Sequence, residues 1–198
     1  MNPDLKIEAI ATFNRLLDEA RAAGDREPTA MTLATVGADG RVSARVVLLK
    51  AVDERGFVFY TNTLSRKGRA LAVQPQAALL FHWKTLRDQV QVRIEGNVAP
   101  VSAQEADAYF ASRPRESQLG AWASMQSEPL AERAMFEARY AQFEQQFAGG
   151  PVPRPPHWSG YRVAPEAFEF WYGVPFRLHE RRVYRLQDGV WSTGLLYP

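Results

Sequence analysis

The chain of 198 residues contains no cysteine. Disulfide bonds, thiolate metal sites and cysteine nucleophiles are therefore excluded. The sequence also has no apolar run near the length of a membrane-spanning helix, and its start lacks the basic and then apolar pattern of a signal peptide. We therefore expect a cytoplasmic protein with no membrane partner.

The chain also has little excess of either sign of charge. The 24 Lys and Arg residues nearly balance the 22 Asp and Glu residues, and the formal net charge is +2. A nucleic-acid-binding domain usually has a clear basic excess or a recognisable motif, and neither is present here. We expect no nucleic-acid partner, so any affinity for anions must come from local clusters of charge.

The common signatures of nucleotide binding and of catalysis by a serine nucleophile are missing as well. There is no glycine-rich dinucleotide fingerprint, no phosphate-binding loop ending in Gly-Lys-Ser/Thr and no nucleophile elbow around a serine. The three histidines, His82, His157 and His179, lack the spacing of metal ligands, so no metal site is expected. These absences favour a bound organic cofactor.

Most of the chain consists of short strand patterns separated by glycine-containing turns. Strands so closely spaced are antiparallel, and their number indicates a barrel or sandwich in a mainly β fold with flanking helices (α+β). We expect one domain over residues 1–198, with an N-terminal helix within 1–24 and a proline-rich internal connector at 149–157. The predicted strands are 31–36, 42–52, 57–61, 77–83, 89–98, 160–163, 168–171, 177–186 and 190–196, and the predicted helices are 3–23, 66–73, 102–112 and 130–147.

A first group of basic residues surrounds the second and third predicted strands. Arg66 and Lys67 lie at a helix start, where free backbone N–H groups and the helix dipole favour an anion. Arg45 and Lys50 have opposite parity, so a bulge, a strand end or a subunit boundary must bring them together if both contact one ligand. A solvated basic turn is the alternative interpretation.

A second group of basic residues lies near the C-terminus. Arg177, His179 and Arg181 alternate with other residues, which predicts that they share one face of a strand. Two guanidinium groups flanking an imidazole repel each other unless an anion or carboxylates neutralise them. The pattern fits either a second anion site or a solvated strand face with Arg–Glu pairs.

The motifs RVVLLK, FYTN and SRKG, followed by FEFWYG and RLHER, resemble the pyridoxine/pyridoxamine 5′-phosphate oxidase family. The resemblance extends from about residue 29 to the C-terminus. It implies a homodimer of antiparallel split β-barrels of the FMN-binding type, with the flavin at the subunit interface. It also implies oxidation of pyridoxine or pyridoxamine 5′-phosphate to pyridoxal 5′-phosphate by molecular oxygen, with release of hydrogen peroxide.

The resemblance implies specific site residues. Arg66 and Lys67 would neutralise the FMN phosphate, whereas Arg177 and His179 would cover the substrate ring as catalytic residues. The implied cofactor-binding set is Arg45, Val46, Leu48, Lys50, Tyr60, Thr61, Arg66, Lys67, Gln89, Gln126, Ser127, Trp171 and Arg181, and the implied substrate-binding set is Lys50, Tyr109, Arg113, Ser117, Arg177 and His179.

Three of the implied substrate residues recur every four positions. A helix that continued past Pro114 would place Tyr109, Arg113 and Ser117 on neighbouring faces.

Two positions depart from the family pattern. Tyr172 stands where the family usually has glutamine, and the chain ends Leu-Leu-Tyr-Pro where the family commonly ends Arg-Leu-x-Pro. Two alternatives therefore remain. One is a flavin oxidase acting on a different ring, as in the phenazine-biosynthesis relatives. The other is a non-enzymatic protein that binds FMN or pyridoxal phosphate.

Overall fold

The computed structural model describes residues 4–198, with side chains from Leu5 onward. The predicted helix 3–23 is present as α1, and its predicted first residue lies outside the described part of the chain. The helices are α1 Asp4–Ala22, α2 Arg66–Val73, α3 Ala103–Ala111, α4 Arg115–Ala123 and α5 Arg133–Gln146, and the strands are β1 Ala30–Val36, β2 Val42–Leu48, β3 Ala51–Asp53, β4 Gly56–Asn62, β5 Gln76–Trp83, β6 Val90–Pro100, β7 Trp158–Tyr172, β8 Glu180–Gln187 and β9 Val190–Leu196.

The strands form one antiparallel sheet of nine strands, in the order β2-β1-β5-β6-β7-β4-β3, with β8 paired to β7 and β9 paired to β8. The first part of β7 pairs with β4 and its last part pairs with β8, while β6 follows it along the other side. Because β2 and β3 end the path yet follow each other in the chain, the sheet curls back on itself. The prediction of an antiparallel half-closed barrel with flanking helices is confirmed.

The predicted strand 42–52 is in fact two strands. Leu49 N donates to Thr29 O over 2.9 Å, on the β1 side, whereas Lys50 N donates to Val58 O over 2.8 Å, on the β4 side. The chain therefore changes its ladder partner between two consecutive residues. The strand thus ends between Arg45 and Lys50. A strand end is one of the three features that would allow these two residues, of opposite parity, to contact one ligand.

The main core lies between α1 and the inner face of the curled sheet. Phe13 of α1 is fully buried, and its ring centroid lies 4.9 Å from those of Phe57 and Phe81 and 5.9 Å from that of Trp83. Burying an aromatic ring of this size stabilises the fold by about 2–3 kcal/mol. The N-terminal helix is thus part of the core of the barrel.

Strand β4 is covered on both faces, which explains its continuous apolar sequence. Phe57 and Phe59 belong to the main core, and Val58 packs on the other side against Val101 and Ala106, the latter on α3. Helix α3 begins with a capping box formed by Ser102 and Glu105. The last three residues of β4, Tyr60, Thr61 and Asn62, line the candidate site.

The C-terminal strands differ from the prediction in two places. The predicted strands 160–163 and 168–171 are parts of the single strand β7, because a register shift between Glu95 and Gly96 of β6 accommodates the residues between them. The predicted strand 177–186 begins only at Glu180. Phe176 and Arg177 have φ angles of 60° and 66°, and such left-handed residues cannot continue an extended strand.

The prediction that Arg177, His179 and Arg181 share one strand face is therefore wrong. Arg177 lies in a 3-10 turn, Pro175–Arg177, and His179 precedes β8, so that only Arg181 lies within the strand.

Two further differences concern helices. Residues 115–123 form α4, which is not among the predicted helices, and α5 begins three residues later than predicted, at Arg133. None of the described helices is long and apolar enough to cross a membrane.

Two helical glycines predict opposite effects of substitution by alanine. A Cβ atom at Gly68 would lie 2.1 Å from the backbone oxygen of Thr63, whereas at Gly120 nothing lies within 4 Å. We expect Gly68→Ala to lower the free energy of unfolding by about 1–3 kcal/mol. Gly120→Ala should raise it by about 0.5–1 kcal/mol. Denaturant titration of the ligand-free protein measures both, and a stabilising Gly68→Ala would contradict the close approach of α2 to the turn before it.

Candidate active site

A cavity of about 870 Å³ lies between β2, β4 and the helical segment that follows β6. Its lining is rich in cations, hydroxyls and aromatic rings, and none of its described residues is acidic. The residues that line this main cavity are Arg45, Val46, Val47, Leu48, Lys50, Tyr60, Thr61, Asn62, Lys67, Tyr109, Ser112, Arg113, Pro114, Ser117, Gly120, Ala121, Ser124, Gln126 and Trp158.

The first turn of α2 borders the cavity. Ser65 is the N-cap, and its Oγ accepts a hydrogen bond from the backbone of Gly68 over 3.3 Å. Lys67 Nζ donates to Thr61 Oγ1 over 3.1 Å and to Gln126 Oε1 over 2.9 Å. Neutral oxygens thus hold the ammonium in place without cancelling its charge.

Arg45 supplies a second cation from β2. Its Nη1 donates to Leu33 O and to Thr35 Oγ1, each over 2.9 Å. Burial and the charge of Arg66 lower the pKa of Arg45, and burial and the charge of Arg45 lower that of Lys67. The cations therefore repel one another in the ligand-free protein, and a bound anion would relieve that repulsion.

A third cation, Arg113, lines the same cavity. Its guanidinium carbon is 4.9 Å from the ring centroid of Trp158 and 5.6 Å from that of Phe110. Burial lowers its pKa, and its Nη1 is buried with no hydrogen-bond partner in the described chain. A buried N–H of a charged group without a partner is costly, so this atom indicates a place for a ligand.

Stacked aromatic rings form one wall. The ring centroids of Tyr60 and Tyr109 are 4.0 Å apart with their planes 12° from parallel, and those of Tyr60 and Trp158 are 5.3 Å apart at 6°. Such offset parallel stacking fixes all three rings.

The expected continuous helix through Tyr109, Arg113 and Ser117 does not exist. Helix α3 ends at Ala111, and Pro114 is the N-cap of α4. The corner between the two helices nevertheless brings all three side chains to the main cavity.

Two predicted cofactor residues lie beside the main cavity. These two residues are Arg66 and Ser127. Ser127 follows Gln126, a residue that lines the main cavity, and Ser127 Oγ accepts a hydrogen bond from Arg66 N over 3.1 Å. The loop after α4 is thereby attached to the start of α2.

The remaining predicted residues lie elsewhere, around the ends of β6, β7 and β8. We call Gln89, Trp171, Arg177, His179 and Arg181 the C-terminal cluster. The rings of Trp171 and His179 are 4.4 Å apart, and Trp171 pairs with Arg181 across the ladder. Gln89 O accepts from Gly173 N over 2.9 Å. None of the five lines the main cavity.

Sequence reasoning missed several residues of the main cavity. Trp158 precedes the predicted strand 160–163 and gave no signal of its own, although it begins β7 and stacks on Tyr60. Asn62 is buried and donates to Ser124 O over 3.3 Å. Its place in the motif FYTN was the one signal in the sequence that could have marked it as a site residue. The other missed residues are Val47, Ser112, Pro114, Gly120, Ala121 and Ser124.

The half-closed barrel and its cavity define a class of protein that binds a flat ligand carrying negative charge. Cations without acidic partners favour the charge, and parallel aromatic rings favour the flat part.

Comparison with known proteins shows which family of this class the chain belongs to. The sequence model described as pyridoxamine 5′-phosphate oxidase matches residues 17–147, and that of the pyridoxine 5′-phosphate oxidase C-terminal dimerisation region matches residues 158–198. The chain belongs to the pyridoxine/pyridoxamine 5′-phosphate oxidase family.

Similar proteins agree with this assignment. A protein of Xanthomonas oryzae pv. oryzae named pyridoxine/pyridoxamine 5′-phosphate oxidase is 59% identical over 98% of this chain and 99% of its own. The crystal structure of PhzG from Burkholderia lata 383 in complex with tetrahydrophenazine-1-carboxylic acid has a TM-score of 0.89 and 36% identity, over 96% of this chain and 92% of that one. A pyridoxamine 5′-phosphate oxidase-related, FMN binding protein from Nostoc punctiforme has the same fold, with a TM-score of 0.73 and 20% identity over 95% of this chain and 96% of that one.

The repulsion around Lys67 predicts a stabilising substitution in the ligand-free protein. Because the pKa of Lys67 is lower in the folded chain, the unfolded chain binds more protons between the two pKa values, and stability rises with pH across that window. Lys67→Gln should remove this rise, leave the ligand-free melting temperature equal or higher, and reduce the stabilisation by added inorganic phosphate. Lys84→Gln, at an exposed lysine, is the control and should change none of these. A clear loss of ligand-free stability in Lys67→Gln alone would contradict the repulsion.

Proposed function

We propose that this protein oxidises pyridoxine 5′-phosphate and pyridoxamine 5′-phosphate to pyridoxal 5′-phosphate. It is then an FMN-dependent oxidoreductase that acts on CH–NH2 donors with oxygen as acceptor and releases hydrogen peroxide, in vitamin B6 metabolism. The observation that carries the proposal is the pair of cationic groups in one cavity without acids, since both the cofactor and these substrates carry a phosphate. We place the enzyme in the cytoplasm, where its phosphorylated substrates and cofactor are found.

The start of α2 fits the phosphate of FMN. Ser127 Oγ and Ser65 Oγ accept hydrogen bonds from the backbone N–H groups of Arg66 and Gly68. The side chains of Arg66, Lys67 and Arg45 add positive charge to the positive end of the helix dipole. The chemistry that FMN supplies when bound is two-electron transfer from substrate to oxygen. The protein contributes the binding, the orientation and the charge around it.

The other cationic group fits the substrate phosphate. Arg113 has an unpartnered buried Nη1, and its guanidinium carbon lies 4.9 Å from the ring centroid of Trp158. Lys50, Ser117 and Tyr109 line the same cavity and can donate further hydrogen bonds. A planar guanidinium binds two phosphate oxygens at once, which fixes the substrate's direction as well as its position.

The C-terminal cluster supplies the groups assigned to the substrate ring. His179 Nδ1 accepts a hydrogen bond from Val174 N over 3.1 Å, so the neutral ring carries its proton on Nε2 and can donate it to a ligand. Arg177 and His179 lie outside the main cavity of their own chain, within the region that matches the family's dimerisation region. We propose that each cavity of the homodimer is completed by the C-terminal cluster of the other copy.

Oxidation of a reduced phenazine-type ring is the second candidate. The PhzG structure and the altered residues at Tyr172 and the C-terminus favour it. The unpartnered Arg113 favours a phosphorylated substrate instead, because a phosphate would satisfy its buried N–H.

Anaerobic reduction tests the proposed function. Addition of pyridoxine 5′-phosphate or pyridoxamine 5′-phosphate to the FMN-loaded protein without oxygen should bleach the oxidised flavin band, and air should restore it. Unphosphorylated pyridoxine is the control and should bleach it at least tenfold more slowly, because one charge-assisted hydrogen bond is worth about 1.5–3 kcal/mol. Bound flavin that no phosphorylated substrate bleaches would refute the oxidase, and bleaching by a dihydrophenazine carboxylate alone would favour the second candidate.

Subunit complementation tests the shared site. Homodimers of Arg113→Gln and of Arg177→Ala should each be nearly inactive while Arg177→Ala retains FMN. A purified mixed dimer has one cavity with both changes and one with neither, so it should recover about half the wild-type activity. If both residues served the cavity of their own chain, the mixed dimer would have no intact site. Lack of recovery would therefore refute the sharing.

A further inference from the structure

Glu169 is the one charged side chain among residues 5–198 that is buried, with 8% of its surface exposed. A buried carboxylate costs free energy unless charged partners hold it, and a hydrophobic residue of similar volume is often as stable. Neither the proposed cofactor contacts nor the proposed substrate contacts include Glu169. Its partners therefore indicate what it does.

The sheet places Glu169 between two arginines. In β7 it lies directly across the ladder from Arg93 of β6 and two residues before Trp171, which faces Arg181 of β8. Glu169 Oε1 accepts a hydrogen bond from Arg181 Nε over 2.8 Å, and its Oε2 lies 3.4 Å from Arg93 Nη1. One carboxylate thus contacts both guanidinium groups.

The contacts of Arg181 leave one edge of its guanidinium free. Nε donates to Glu169 and Nη1 donates to Tyr197 O over 3.0 Å, while Nη2 has no hydrogen-bond partner in the described chain. Two bonds in the plane of the guanidinium fix both its position and its rotation. Arg181 and Trp171 line a smaller cavity of about 270 Å³ together with Glu169.

Glu169 is ionised in this arrangement. Burial alone would raise its pKa, but the hydrogen bond from Arg181 and the charges of Arg93, Arg181 and Arg185 outweigh burial and lower the pKa. The side chains of two arginines and of this one glutamate line the smaller cavity.

We propose that Glu169 is a positioning residue for the flavin site, which holds Arg181 so that its free Nη2 and the neighbouring Trp171 present one rigid surface to FMN. This inference rests on the proposed function, in which Arg181 and Trp171 contact the cofactor. Glu169 itself touches no ligand and acts through Arg181. Without its charge, the arginine loses its in-plane anchor and samples other rotamers, which raises the entropic cost of binding the flavin.

The test is FMN affinity, measured by quenching of flavin fluorescence on titration into apoprotein. Glu169→Gln keeps the shape of the side chain and one acceptor oxygen but removes the charge. We expect FMN to bind about tenfold more weakly, which corresponds to the worth of the charge-assisted hydrogen bond between Glu169 and Arg181. Glu95→Gln is the matched control, since Glu95 also pairs with Arg93 over 3.0 Å but is half exposed. It should bind FMN as the wild type does.

A double-mutant cycle separates positioning from a merely structural role. Arg181→Gln should weaken FMN binding, and adding Glu169→Gln to it should weaken binding by less than twofold more, because the carboxylate then has no arginine to hold. A tenfold effect of Glu169→Gln that persists without Arg181 would overturn the proposal.

Two further measurements cover the other outcomes. If Glu169→Gln does not fold, Glu169→Asp retains the charge but sets it back by one methylene group, and wild-type affinity in that variant would overturn the proposal. If the wild type itself binds no FMN, the proposed function fails and this inference with it. Tight binding by the wild type, with equal binding by Glu169→Gln, overturns this inference alone.

Discussion

The change of ladder partner between Leu49 and Lys50 is the constraint on which the rest of the structure depends. Consecutive N–H groups point to opposite ends of the sheet path, toward Thr29 on one side and Val58 on the other. The sheet curls back there, because each backbone donor must find an acceptor, and Thr29 directly precedes β1 whereas Val58 lies in β4. Because of the same change of partner, the side chains of Arg45 and Lys50 line one cavity. In a regular strand they would point to opposite faces.

Charge is distributed so that the acids support the site without entering it. Arg162, largely buried, donates to Asp53 over 2.7 Å and to Glu105 over 2.8 Å. This pairing ties the β3–β4 turn to the first turn of α3, the helix that carries Tyr109 to the cavity wall. The cations inside the cavity stay free to attract an anion, at the cost of mutual repulsion in its absence.

Local signals predicted much of the fold, and tertiary contacts decided the rest. The caps at Ser65 and Ser102 were predictable because side-chain bonds over three residues specify them. The break after Leu49 was not, since an apolar strand looks the same whichever neighbour it pairs with. The left-handed turn at Arg177 likewise has no glycine to announce it. For the site, motif resemblance suggested the residues, but periodicity could not tell that the C-terminal cluster and the main cavity lie apart, and Trp158 carried no local signal at all.

In the shared site that we propose, ligand binding and subunit assembly are coupled equilibria. A ligand whose site spans both copies binds only the assembled pair, so every increment of its binding free energy also opposes dissociation of the subunits. A higher concentration of cofactor then favours the dimer, and dilution of the protein, which favours separate subunits, also favours loss of the cofactor. In a two-fold symmetric pair each substitution also occurs twice, once in each of the two sites.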